Sequence, residues 1–222
     1  MNDGDRSAAL SESSDWVDSF ATISLHERPL LRRTLRRQRN TLASSTRREA
    51  SLAVMRRILR LRWLHPGARV ALYDAFDGEL DLAPVMRLAA RRRCAIYTPR
   101  IRNLQRGRMD FVEVSGPPVA AHARSIVPRQ PFVGRYRYID ARDLDVVLVP
   151  IVAFDMHGWR LGFGAGFYDR KFSFRRRAAR VKPLLVGVGY EFQRVGRLEP
   201  GAWDVPLDAV VTERALYRCR RR

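Results

Sequence analysis

The sequence predicts an α/β fold, with a largely parallel central sheet flanked by helices on both faces in a Rossmann-like three-layer arrangement. Three observations carry this expectation. Short continuous apolar runs, RVALY (69–73), CAIYTP (94–99), DLDVVLVP (143–150), PLLVGVGY (183–190) and LDAVVT (207–212), read as strands buried on both faces. Segments of helical apolar period lie between several of them, the order expected of crossover connections. A chain of 222 residues, 46% hydrophobic, suits one full core with small extensions.

The elements follow in chain order. Residues 1–24 are rich in Ser, Asp and small side chains without an apolar period, and are expected to be a disordered tail. HERPLLRRTLRRQRNTL (26–42) then places Leu31, Leu35 and Leu42 on one helical face and Arg28, Arg32, Arg36 and Arg39 on another. That basic face reads either as a solvated surface or as an anion site of several guanidinium forks. A second helix carries Leu52, Met55, Ile58, Leu59 and Arg62 in period and stops at His65-Pro66-Gly67. After the strand at 69–73, DAFDGELD (74–81) is a loop and LAPVMRLAARRR (82–93) a helix. MDFVEV (109–114) reads as a further strand, and residues 115–140, with Pro117, Pro118, Pro128 and Pro131, as a long connection. A basic helix is expected over 167–179. These elements place one domain over 25–217, followed by a basic tail at 218–222.

Composition narrows the function classes. No apolar run reaches the roughly 18–20 residues of a membrane span, and the N-terminus has no basic start followed by an apolar stretch. Cys94 and Cys219 make no disulfide framework, and His26, His65, His122 and His157 have no zinc-ligand spacing. A cytoplasmic protein without a membrane partner is expected. The net charge of +19 calls for anionic partners, whether nucleic acid, an anionic surface or small polyanions. Lys171 and Lys182 are the only lysines, so a coding bias toward arginine explains much of that charge. The clusters Arg91–Arg93, Arg175–Arg177 and Arg220–Arg222 lack interleaved aromatics and read as solvated faces rather than a nucleic-acid surface.

The stretch RLGFGAGFYDR (160–170) is the main candidate for chemistry. It lacks the Lys-Ser/Thr pair of a P-loop, and its glycine spacing fails the G-x-G-x-x-G dinucleotide pattern. Strand, loop, glycines and a following helix would nonetheless form an anion nest, because glycine lets the backbone approach a ligand closely. Arg160 and Arg170 would add charge, and Asp169 could hold magnesium beside phosphates. The alternative is a packing turn with Phe163, Phe167 and Tyr168 in the core. Both readings stay open on spacing alone.

The longer run VPIVAFDMHGWRLGFGAGFYDR (149–170) resembles the signature of the 5-formyltetrahydrofolate cyclo-ligase family. Weaker elements occur in that family's order over roughly residues 28–213. They are the basic N-terminal helix, Gly78-Glu79-Leu80-Asp81, Tyr97-Thr98-Pro99-Arg100, and a closing segment from Asp204 to Glu213. The resemblance implies an ATP- and Mg2+-dependent ligase that closes 5-formyltetrahydrofolate to 5,10-methenyltetrahydrofolate, releasing ADP and phosphate, without a covalent enzyme intermediate. It implies nucleotide binding by Arg28, Arg32, Arg160, Leu161, Gly162, Phe163, Gly164, Ala165, Gly166, Phe167 and Tyr168. Asp74, Glu79 and the loop Phe163, Gly164, Ala165, Gly166 and Phe167 are implied for the folate. Asp169 and Asp204 are implied for magnesium, with Arg160 and Asp169 as the catalytic pair.

Four departures from the family pattern are visible. Arg28 stands where lysine is usual, which exchanges a compact ammonium for a planar fork. Phe167-Tyr168 replaces Tyr-Tyr, Asp74 replaces a common hydrophobic residue, and PFVGRYRYIDARD (131–143) lacks the family's G-I-x-E-P segment. A monomer is expected, with a folate, polyglutamylated or not, as its partner. The rival expectations are a basic nucleic-acid-binding protein on an α/β scaffold and a family member with another substrate.

Overall fold

The computed structural model describes residues 22–114, 137–177 and 182–219. The expected tail as far as residue 21, the proline-rich connection over 115–136, the end of the basic helix and Arg220–Arg222 lie outside the described residues.

The apolar runs form the centre of one eight-stranded sheet. β2 (Arg69–Ala71), β3 (Ala95–Asn103), β6 (Val146–Pro150), β9 (Leu184–Val188) and β11 (Ala209–Val211) are its parallel core, in the spatial order β11-β9-β6-β2-β3. β4 (Arg108–Glu113) and β5 (Tyr138–Ile139) extend it antiparallel beyond β3, and β12 (Leu216–Arg218) does so beyond β11. The parallel character is therefore confined to the five central strands. β3 and β4 are joined by a short turn, which permits only antiparallel pairing.

Alternation within β6 explains the layers. Val146 and Leu148 join one core and Val147 and Val149 the other, since successive strand residues point to opposite faces. On the first face lie α2 (Ser44–Leu59) and α3 (Ala83–Arg91), through Ala50, Val54, Ile58, Val85 and Ala89. On the second lie Phe154, Phe172, Val205 and Leu207, with the short α4 (Phe167–Lys171). The three-layer expectation holds, but α1 (Arg28–Thr41) does not cover the sheet. Its Leu31 and Leu35 bury against Val152, Ala153 and Leu161, in a third cluster around the hairpin of β7 (Ala153–Phe154) and β8 (Arg160–Leu161).

Three boundaries differ from expectation. Thr22 and Ile23 are not tail: as β1 they pair in parallel with β10 (Arg197–Leu198), and Ile23 is buried. The helix expected over 167–179 stops at Lys171 and continues as a 3-10 turn, Ser173–Arg177. Phe172 and Phe174 pack into the core there, and the sequence that follows, RRRAAR (175–180), supplies no apolar stripe to prolong it. At the other end, Arg218 closes β12 rather than opening a tail.

Candidate active site

β2 and β6 are parallel neighbours, so the loops that follow them emerge from the same edge of the sheet. The first carries the acids Asp74 to Asp81; the second carries the β7–β8 hairpin and the glycine stretch. Asp155 shapes the second loop. It is fully buried, and its carboxylate accepts from the backbone N–H groups of His157, Trp159 and Leu198, closing the hairpin and tying it to β10.

α1 lies across both loops, and its arginine face is what joins them. Arg28 donates to Asp204 Oδ2 at 2.9 Å and to the Glu199 carbonyl. Arg32 Nε donates to the Gly162 carbonyl at 3.0 Å. Arg36 Nε reaches Asp77 Oδ2 at 2.7 Å, and its guanidinium lies 4.2 Å from the centre of the Phe163 ring. Arg39, only 1% exposed, donates to the Asp77 carbonyl at 2.8 Å and to Asp77 Oδ2 at 2.9 Å. The helical spacing therefore yields neither a solvated face nor a free cluster of forks: each guanidinium holds a loop.

Asp77 is the receiving end of that clasp. Burial would push its carboxyl up, but hydrogen bonds from Arg36 and Asn40 outweigh this and hold it below the usual carboxylate range. Its φ of 51° is one that aspartate tolerates better than most residues. Gly78 follows with φ 74°, and a Cβ there would stand 2.5 Å from Asn40 Oδ1, so glycine is required by both conformation and space. Tyr190, arriving after β9, donates to the Gly78 carbonyl at 3.2 Å. The next residue is Glu79. Burial pushes its carboxyl from 4.5 up to about 7, against the pull of Arg39 and of the Phe76 N–H that donates to it at 3.3 Å. The Tyr168 hydroxyl is raised by burial and then by the charge of Glu79, which puts the acid loop and the glycine loop within electrostatic reach. Asp74 is raised by burial and by Asp81.

The glycine loop is open above its backbone. A Cβ at Gly162 would meet nothing within 4 Å, and one at Gly164 would meet only Arg32 Nε at 3.9 Å. Among the described residues the N–H groups of Phe163, Gly164, Ala165 and Gly166 donate no hydrogen bond. Phe163 is exposed and tilts against Phe76 at 5.1 Å, so this aromatic is not core; Phe167 and Tyr168 do pack against the second core. Gly166 caps α4, whose five residues give little helix dipole. Leu161 is buried in β8.

Arg160 and Asp169 close the other side. Arg160, 7% exposed, donates to Asp169 Oδ1 at 2.7 Å and to the Val205 carbonyl, while the Val205 N–H donates to the same Asp169 oxygen at 3.1 Å. Asp204 precedes Val205, so the two carboxylates implied for magnesium flank one backbone position. Each has one oxygen committed to an arginine, and its other oxygen accepts no hydrogen bond among the described residues. Among those residues no group of three or more His, Cys, Asp or Glu could hold a metal by itself. Magnesium, which commonly takes one or two carboxylates together with substrate phosphates, fits this pair as a phosphate-borne ion.

Beside the glycine loop, a cleft of about 670 Å3 opens between the β3–β4 turn and α4, lined by Arg102, Arg106, Arg108, Arg170 and Lys171 with Asp110 as its acid. Sequence reasoning missed Asp77, Arg39 and Asn40 as a unit, although the Asp77-Gly78 turn signal was visible. It also read Arg170 as a charge for a ligand. The structure turns that guanidinium toward the carbonyls of Ala165 and Gly107.

Comparison with known proteins places the chain in a family. The profile of the 5-formyltetrahydrofolate cyclo-ligase family matches residues 24–213. The Escherichia coli K12 5-formyltetrahydrofolate cyclo-ligase is 30% identical over 184 residues, spanning 80% of this chain and 96% of that protein. The NMR structure of Aquifex aeolicus 5,10-methenyltetrahydrofolate synthetase superposes with a TM-score of 0.72 at 32% identity, over 88% of this chain and 94% of that one. A Mycoplasma pneumoniae 5,10-methenyltetrahydrofolate synthetase, 20% identical, shares the fold with a TM-score of 0.65, over 84% of this chain and 99% of that one. The chain belongs to the 5-formyltetrahydrofolate cyclo-ligase family.

Proposed function

We propose that this protein converts 5-formyltetrahydrofolate to 5,10-methenyltetrahydrofolate with consumption of ATP. The observation that carries the reading is the meeting of an open glycine loop, with undonated N–H groups and Arg32 beside it, and a half-buried acid of raised pKa, Glu79, on the neighbouring loop. The reaction needs both ends. A formyl oxygen is a poor leaving group, so the γ-phosphate is transferred to it; N10 then attacks the activated carbon, and phosphate departs. Phosphoryl transfer depends on positioning and on neutralising charge over the phosphate oxygens, which backbone N–H groups and guanidinium forks supply.

In this reading Arg28, Arg32 and the run Arg160 to Tyr168 hold the nucleotide. Glu79, Asp74 and the loop Phe163–Phe167 face the folate. Asp169 and Asp204 hold magnesium, which would lower the charge on the phosphates. Arg160 acts through Asp169, whose carboxylate it orients. The substrate's tail of glutamate carboxylates suits the basic cleft at the β3–β4 turn, where the Arg106 and Arg108 side chains have no carboxylate partner among the described residues. In this reading the protein is a monomer of the cytoplasm; among the described residues no helix is long and apolar enough to cross a membrane.

The test follows formation of the methenyl product by its near-ultraviolet absorbance. Product that requires both ATP and Mg2+ is expected, and none from correctly folded protein would sink the reading. A lower KM for a polyglutamylated substrate, lost in an Arg106→Ala/Arg108→Ala variant, is expected for the tail. Equal efficiency on mono- and polyglutamate substrates would remove that part alone.

A further inference from the structure

Arg170 stands at the end of the family signature, yet its guanidinium is turned away from the open side of the glycine loop. Nε donates to the Gly107 carbonyl at 3.3 Å, and Nη2 donates to the Ala165 carbonyl. Both places are shaped to receive it. A Cβ at Gly107 would fall 1.7 Å from Arg170 Nη2, and one at Gly166 would fall 2.9 Å from Nη1. Both glycines have positive φ, 57° and 64°. Gly107 closes the β3–β4 turn, donating its N–H to the Leu104 carbonyl at 3.2 Å. One residue along, Lys171 reaches Asp110 Oδ1 at 2.8 Å, so α4 is fastened to this hairpin at successive positions.

The peptide geometry gives the contact a consequence. In a planar trans peptide the C=O and N–H point in opposite directions. Holding the Ala165 carbonyl against Arg170 therefore aims the Gly166 N–H toward the other side of the loop, where it donates to nothing among the described residues. A lysine in place of Arg170 would carry the charge but not the planar fork that serves two carbonyls at once.

We infer that Arg170 is a positioning residue that couples the β3–β4 turn at Gly107 to the peptide Ala165–Gly166, and so sets the aim of a glycine-loop N–H at the nucleotide phosphates. The inference rests on the nucleotide reading given above. It assigns to a turn remote in sequence a part in nucleotide affinity.

The test compares Arg170→Ala, Arg170→Lys, Gly107→Ala and the double variant Gly107→Ala/Arg170→Ala with the parent. Gly67→Ala serves as control, because Gly67 has φ 79° with nothing within 4 Å of a Cβ. Affinity for a non-hydrolysable ATP analogue is measured by calorimetry, and amide hydrogen exchange at 162–166 by mass spectrometry without nucleotide. Expected is nucleotide binding weaker by about tenfold in Arg170→Ala, Arg170→Lys and Gly107→Ala alike, seen as KM for ATP more than kcat. The double variant should lose no more nucleotide affinity than either single, since the backbone strain of Gly107→Ala is local to the turn and the added Cβ reaches the glycine loop only by expelling Arg170. Exchange at 162–166 should rise in these variants and not in Gly67→Ala. Parent-like affinity and exchange in Gly107→Ala, or losses that add in the double variant, would overturn the coupling. If the parent binds no nucleotide, the functional reading fails, and the exchange data still decide the coupling.

Discussion

Arg160 and Asp169, nine residues apart in the signature run, form an ion pair of 2.7 Å whose arginine is buried and whose carboxylate is partly exposed. Val205 completes it from a distant strand connection, accepting from Arg160 and donating to Asp169. The two residues therefore differ in what their loss does. Asp169→Asn keeps shape and loses charge, and turnover is expected to fall about 100-fold with little change in melting temperature. Arg160→Ala takes the side-chain donor from the Val205 carbonyl and leaves Asp169 with only the Val205 N–H, and should lower turnover and cost about 3 kcal/mol of stability. Parallel activity assays and thermal melts separate them; equal melting temperatures would contradict the structural half of this assignment.

Glu79 makes stability depend on pH with a definite sign. Its carboxyl is raised from 4.5 to about 7 in the folded protein, so the folded state binds the proton more tightly than the unfolded state. Below 4.5 both states are protonated and nothing is lost. Between 4.5 and 7 the unfolded state releases its proton first, and stability falls as pH rises; above 7 the cost is complete, at about 3 kcal/mol. Glu79→Gln should therefore melt higher than the parent at pH 8 and match it near pH 4. A difference that is the same at both pH values would show that the acid is not held this way.

Two glycines with nearly equal φ test what close packing adds. Gly67→Ala meets open space, so only the left-handed backbone opposes it, at about 1 kcal/mol. Gly78→Ala meets Asn40 Oδ1 at 2.5 Å and the Arg39 carbonyl at 3.2 Å, and must displace the acid loop from α1. We expect about 2–3 kcal/mol for Gly78→Ala and a raised KM for the folate, since Glu79 is the next residue. Urea unfolding and steady-state kinetics check both; equal losses would mean the loop yields freely.

Asp77→Ala removes the one carboxylate that faces Arg36, Arg39 and Asn40 together. Arg39 is buried and would keep only carbonyl partners, so a loss of about 3 kcal/mol is expected by urea unfolding. Asp77→Asn, which retains the shape, should lose less. An Asp77→Ala variant as stable as the parent would show that Arg39 finds another acceptor.

Local pattern and long-range closure divide the credit for this protein. The five central strands, the loop character of 74–81 and the emergence of both loops from strand ends were legible, because buried parallel strands need unbroken apolar runs and successive crossovers. The signature run was legible too, since its residues are adjacent in the chain. Not legible was what the arginines of α1 do. Their spacing specified a common face, but their acceptors, Asp77, Gly162, Glu199 and Asp204, lie between 38 and 176 residues away, and no local rule names a partner across such separations. The same holds for Arg170, which the sequence offers as a charge for a ligand and the fold spends on carbonyls. Sequence alone determined the central strands, the helices between them and the run of residues proposed to carry the chemistry. Tertiary structure decided which charges remain for a ligand, because a guanidinium's partner is set by the chain segments that folding brings within about 3 Å of it.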